Sequence, residues 1–264
     1  MTEIPQPEDI YRRTKEEGAR RLERPLLEVV STALAAGFDI IAGVVALGIL
    51  GGSLESTTGL GPAHVVGSVG FGIGFVFLVV GRGELFTENF LVPIAGLDHR
   101  RGSSWLGLAK LWVTSPLFNI FGGLVMILLL STHGVLPTGT AQTFARNADK
   151  LHAHGSLTLF ISAIFAGALI TAMTWFVEGQ ESMLVRVVVA WMAGALLALG
   201  SFNHVIVATL ELIFGYRFGA HFASTFILGN FFLAAAGNMV GGIGLVTLNR
   251  LTQGKQGERK RASA

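Results

Sequence analysis

The stretch Gly81-Arg82-Gly83-Glu84-Leu85-Phe86-Thr87-Glu88-Asn89-Phe90 puts glycines and charges between an almost wholly apolar passage, residues 65–80, and a return to apolar sequence at Leu91. Few folds are open to a chain that interrupts a membrane-spanning run in this way. Within hydrocarbon every backbone N–H and C=O has to be satisfied internally, so a non-helical segment survives only where protein buries it or where it lines a cavity. The interruption therefore marks a pathway. A second one, Gly200-Ser201-Phe202-Asn203-His204, cuts a later apolar run, and paired interruptions in two corresponding halves are the sequence pointer to a transporter's site.

Composition narrows the class. Hydrophobic residues make up 51% of the chain and charged ones 14%, far from a soluble domain, so the expectation is an all-α membrane protein embedded in a lipid bilayer. At roughly 20 residues per crossing, the 264 residues hold about six spans and no separate soluble domain. The spans expected are 27–50, 64–80 with a half-helix at 91–95, 105–130, 157–177, 183–199 resuming as 205–214, and 221–248. A charged, interfacial leader, residues 1–26, precedes them, a long loop occupies 131–156, and a basic tail, 249–264, follows.

Lys and Arg in the leader, between residues 100 and 110, at Arg186 and in the tail outnumber Arg146, Lys150 and Arg217. By the positive-inside rule both termini lie in the cytoplasm, and the expected location is the cytoplasmic (inner) membrane of a bacterium or archaeon. The pI near 9.2 reflects this topology and points to no nucleic acid. The chain has no cysteine, which excludes disulfides and thiol chemistry. His152 and His154 are closer together than the histidines of zinc patterns, so neither a metal nor another cofactor is expected. Nothing resembles a nucleophile with its base, so the chain is not read as an enzyme. Asp39, in the middle of the first span, either lines a pathway or bonds a neighbouring helix.

The two halves repeat. Asn119-Ile120-Phe121-Gly122-Gly123 in the third span returns as Asn238-Met239-Val240-Gly241-Gly242 in the sixth. Each follows one of the interruptions. Three spans per half, about 27–131 and 157–248, start the second half from the opposite side, so the repeat is inverted.

These residues carry a resemblance. Gly83-Glu84-Leu85-Phe86-Thr87 resembles the G-x-[ED]-L-F-T loop of the formate/nitrite transporter family, Ser201-Phe202-Asn203-His204 its G-F-x-H break, and Gly237-Asn238-Met239-Val240-Gly241-Gly242 its G-N-x-x-G-G. Departures elsewhere place the chain nearest a divergent, YfdC-like branch. The resemblance implies an aquaporin-like protomer in a homopentamer, each protomer with its own pore for small monovalent weak-acid anions such as formate, nitrite or hydrosulfide. Carried over by position, His204 is the central histidine and Thr87 the loop residue facing it. Phe71 and Leu197 form the outer constriction, and Phe75, Leu85 and Phe86 the inner one. Lys150 is the vestibule cation, and Glu84, Glu88 and Asn203 belong to the loops, with possible gating roles. The family's asparagines after the histidine and in the fourth span are matched here by Ala208 and Gly167.

The chemistry of such a pore follows from charge. An ion entering a ring of phenylalanines gives up its hydration at a cost of several kcal/mol, whereas a neutral acid crosses more easily. A proton therefore has to be supplied, and histidine suits that role near neutral pH. The competing reading of His204 is an imidazole that bonds two helices together. For Glu84 and Glu88 the expectation is capping of broken helix ends or pairing with Arg82. An acidic loop and absent asparagines also fit an alternative function, a pathway for a neutral solute or a weak base such as ammonia.

Overall fold

The computed structural model describes residues 5–263 and, among these, only helices, turns and loops. Helix α1 (Pro7–Glu23) starts on Pro7 at its first turn, where a missing N–H costs nothing, and carries acids in that turn and Arg20 and Arg21 in its last, as the helix dipole favours. Then come α2 (Leu26–Thr58) and α3 (Leu60–Gly81), a 3-10 turn (Phe86–Phe90), the single turn α4 (Val92–Ala95) and α5 (Gly102–Leu130). The second half comprises α6 (Thr140–His152), α7 (Ser156–Glu178), α8 (Met183–Leu199), α9 (Val205–Arg217), α10 (Thr225–Met239), a π-helical stretch (Val240–Thr247) and α11 (Leu248–Ser263).

Five of these helices are long and apolar enough to cross a membrane: α2, α3, α5, α7 and the continuous run from α10 into α11. The sixth crossing is α8 followed by α9, in series across the second interruption. The chain is thus an all-helical, multi-pass membrane protein with its second and fifth spans broken, as expected from the sequence. Large side chains such as Leu27, Leu106, Leu117 and Leu157 point outward. In hydrocarbon an exposed leucine carries no penalty, so the core is recognised by packing rather than by hydropathy. That core holds Ile40, Phe71, Phe75, Leu85, Ile170, Leu210 and Phe214.

Three expectations need correction. The long loop contains helix α6, which buries Thr143, Phe144, Ala148 and Leu151 and stacks Phe144 on Phe214 with ring centroids 4.2 Å apart. Its few apolar residues, spaced for one buried face, are too sparse to register as hydropathy. The leader is packed rather than loosely interfacial: Tyr11, Thr14, Gly18 and Leu22 are buried, and Gly18 lies so close to the Val92 carbonyl that no side chain fits. The last helical run starts later than expected, at Thr225, and continues as helix to Ser263. Its C-terminal end meets α1 through Arg261, which pairs with Asp9 and Glu8, each at 2.9 Å. Both ends of the described chain therefore lie on one side of the bundle.

Candidate functional site

The interruptions are built alike. Arg82 ends α3 with a positive φ of 55°, and Ser201 follows α8 with a φ of 49°, conformations that non-glycine residues hold only when their surroundings enforce them. Beyond each, the chain is extended and its backbone groups face helices, not strands. One asparagine per half satisfies them. The Asn119 side chain accepts the Phe86 N–H at 3.0 Å and donates to the carbonyls of Ala33 and Glu84, both at 2.9 Å. At the matching place, Asn238 accepts the Val205 N–H at 2.8 Å and donates to Ala163 at 2.7 Å and Asn203 at 3.1 Å.

The glycines of N-x-x-G-G allow this reach. A Cβ at Gly122 would collide with the Leu34 carbonyl, and one at Gly241 with that of Ile164, so each asparagine-bearing segment presses directly on the first helix of its half. Gly167 is held the same way, against the backbone of Asn238. It lies in a helix contact with no room for a side chain.

His204 closes the second interruption and faces the first. It is the N-cap of α9, with extended ψ of 127°, and its Nδ1 accepts the Val207 N–H at 3.3 Å. Its Nε2 lies 2.9 Å from Thr87 Oγ1, and both residues are fully buried. With Nδ1 acting as acceptor, the proton of a neutral ring resides on Nε2 and is donated to the threonine oxygen. The Thr87 hydrogen is then left for another acceptor. Phe75 meets the imidazole edge-on at 6.5 Å between centroids, and Phe71 lies 5.9 Å from Phe75. Nδ1 thus caps His204's own helix, while Nε2 joins the two interrupted segments.

A cavity opens on either side of this centre. Towards the termini lies a volume of about 430 Å³ lined by Arg20, Arg21, Arg24, Arg82, Glu17 and Glu88, among others. On the far side a smaller one, about 30 Å³, is lined by Lys150, Leu197, Ala208, Glu211, His64 and His154. Leu197 and Lys150 therefore come together there. Leu85 and Phe86 are buried, with the Phe86 ring against Phe90 at 5.0 Å.

Neither loop acid pairs with Arg82, one of the two roles that the sequence suggests for them; their partners are other arginines. Glu84 is gripped by Arg24 at 2.6 Å and Arg21 at 3.3 Å, and Glu88 stands 3.5 Å from Arg21. Arg82, in its left-handed conformation, is exposed. Burial alone would lower the Arg21 guanidinium, but the carboxylates of Glu84, Glu88 and Glu17 outweigh it and hold it above its ordinary value. Asn203 is a strut: its amide exchanges hydrogen bonds with Asn230 at 2.9 and 3.0 Å and donates to the Leu159 carbonyl at 3.3 Å. It is fully buried. Of the loop histidines, His152 packs edge-on against Phe226 at 4.4 Å while His154 lines the far cavity.

Sequence reasoning missed two groups, the arginines of α1 and Glu211. The second stands on the His204 face of α9, seven residues along.

A family model described as formate/nitrite transporter matches residues 8–251. The chain belongs to the formate/nitrite transporter family. It is similar to inner membrane protein YfdC of Escherichia coli, 27% identical over 88% of this chain and 74% of that one. A probable formate transporter of Methanothermobacter thermautotrophicus is 26% identical over 81% and 84% of the two chains. Among solved structures, an FNT family ion channel superposes with a TM-score of 0.76 at 20% identity, covering 91% of this chain and 97% of that one. A pentameric formate channel with formate bound gives a TM-score of 0.69 at 19% identity, covering 84% and 95%. The fold is accordingly the aquaporin-like one of formate/nitrite channels, and the protein is a membrane channel or transporter of this family rather than an enzyme.

Proposed function

We propose that the chain forms a pore for small monovalent weak-acid anions of the formate, nitrite or hydrosulfide type, and that the His204–Thr87 pair supplies and recovers the proton that lets them cross as neutral acids. The observation that carries this reading is the 2.9 Å contact between His204 Nε2 and Thr87 Oγ1, beside Phe75 and between two cavities. Phe71 and Leu197 close the pore on the outer side and Phe75, Leu85 and Phe86 on the inner side. Lys150 draws anions to the outer cavity, where its charge acts through a field that salt screens. Both termini face the cytoplasm, in the inner membrane where YfdC is also found. Five copies assemble into a ring, the related formate channel being pentameric, which cross-linking of the purified protein tests.

The experiment is flux into proteoliposomes across formate, nitrite, hydrosulfide, methylammonium and water, with and without a pH gradient. Uptake of the anions that grows with an inward proton gradient is expected. Flux of methylammonium alone would replace this reading with the weak-base pathway.

A further inference from the structure

The far cavity holds a group that the central histidine does not explain. Glu211 lines it together with Lys150, His64 and His154, and among the described residues it has no hydrogen-bond or ion-pair partner. A carboxylate in a largely apolar helix is costly, and such groups mark ion pathways and proton relays. Its neighbours do not neutralise it. On α6, Arg146 is held by Glu55, one arm at 2.6 Å, and Asp149 by the His221 backbone at 2.6 Å. His64 of α3 bonds the Leu199 carbonyl at 3.0 Å. The helices α5, α7, α8 and α10 bring no titratable side chain to this end: Lys110 of α5 donates to the Arg24 carbonyl at the opposite end, Arg186 of α8 to Gln180, Glu178 closes α7 on the terminus side, and α10 contains none. Only Lys150, His64 and His154 face it across the cavity.

Position gives Glu211 its use. Ala208 and Glu211 lie four and seven residues beyond His204 on α9, on one helix face, so the carboxyl stands about 10 Å along the axis from the imidazole at 1.5 Å per residue. Leu197 lines the same cavity and stands at the entrance to the apolar passage. An anion drawn in by Lys150 is thus next to Glu211 before it reaches that passage.

We propose that Glu211 is the proton-exchange group of the outer vestibule, which protonates an incoming small weak-acid anion held at Lys150 and takes the proton back from an outgoing acid. This rests on the weak-acid reading above. In the inward step the Glu211 O–H bond breaks, the proton passes to the anion's oxygen or sulfur, and the neutral acid crosses the outer constriction to His204, whose ring takes up that proton and returns it to the anion ahead of the inner constriction. The carboxylate left behind regains a proton from external water. The cavity, about 30 Å³, has room for a small solute or a water beside both groups.

The test is uptake of radiolabelled formate and nitrite into proteoliposomes at fixed internal pH, with external pH stepped from 5 to 8, for the wild type, Glu211→Gln and Glu211→Asp. The wild type is expected to slow as external pH rises. Glu211→Gln is expected to lose at least tenfold at pH 5 and to become flat with external pH, while Glu211→Asp restores the slope. A Gln variant that keeps the wild-type profile, or that only gains uptake at pH 8 through lost repulsion, overturns the assignment while leaving the weak-acid reading in place. A wild type that carries neither anion overturns both.

Discussion

Asn119 and Asn238 each meet three backbone groups that an interrupted helix would leave bare in a medium without water. A buried backbone group without a partner costs about 1–3 kcal/mol, so either asparagine replaced by alanine should lose roughly 3 kcal/mol or more of stability. Thermal unfolding in detergent checks this, and unchanged melting of both Asn119→Ala and Asn238→Ala would contradict it. The repeated N-x-x-G-G was plain in the sequence as a pattern. Its reason was not, because the carbonyls of Ala33 and Ala163 sit on other helices, and only the fold brings them within reach. His204 is similar: its place at an interruption was legible, while its capping of α9 through Nδ1 depends on the local backbone. Glu211 went unread because a single acid in an apolar run has meaning only once a cavity is placed beside it.

At the scale of elements, the departure from expectation is α1. Its charge alternation reads as a solvated helix, yet Arg21 and Arg24 pass inward to Glu84 and Glu88 while Tyr11 and Leu22 are buried. The pairing was illegible for a physical reason: the partners lie about sixty residues away, on a loop whose nearest cation in sequence is Arg82. Removing both guanidinium groups, as Arg21→Gln with Arg24→Gln, leaves two buried carboxylates unpaired, which is strongly destabilising for such a site. Hydrogen exchange should show α1 and residues 83–90 opening together in that variant, with α7 unaffected; unchanged protection of α1 would refute the coupling.

The same network responds to acid. Burial would raise the Glu17 carboxyl, but Arg21, Arg20 and Arg24 prevail and hold it below its ordinary value of 4.5. A lowered folded value means that its contribution to docking is fully present above 4.5 and is lost as pH falls through the lowered value. Exchange in α1 should therefore quicken on acidification below that point, less so in Glu17→Gln.

For the whole molecule, the six crossings, the two breaks and their order were readable because hydropathy and backbone satisfaction in a bilayer leave few alternatives. Helix α6 and the docked leader were not readable, since short amphipathic helices gain their stability from tertiary packing. Orientation has a direct check, for the native chain contains no cysteine. A membrane-impermeant reagent applied to intact cells should label a cysteine placed at Thr138 and spare one at Ser263, and the reverse pattern would invert the topology.

The central claim is that His204 carries the proton on which conduction depends. Asparagine is among the best N-cap residues, so His204→Asn can keep the bond to Val207 and the fold while removing the titratable ring. An anion obliged to pass Phe71 and Phe75 charged meets a higher barrier, and an increase of only ~3 kcal/mol is a more than hundredfold loss of rate. The decisive measurement is formate flux into proteoliposomes for wild type and His204→Asn, over pH 5 to 8. Flux that falls at least a hundredfold in the variant and loses its dependence on the proton gradient is the predicted result; wild-type flux with an unchanged pH profile would contradict it.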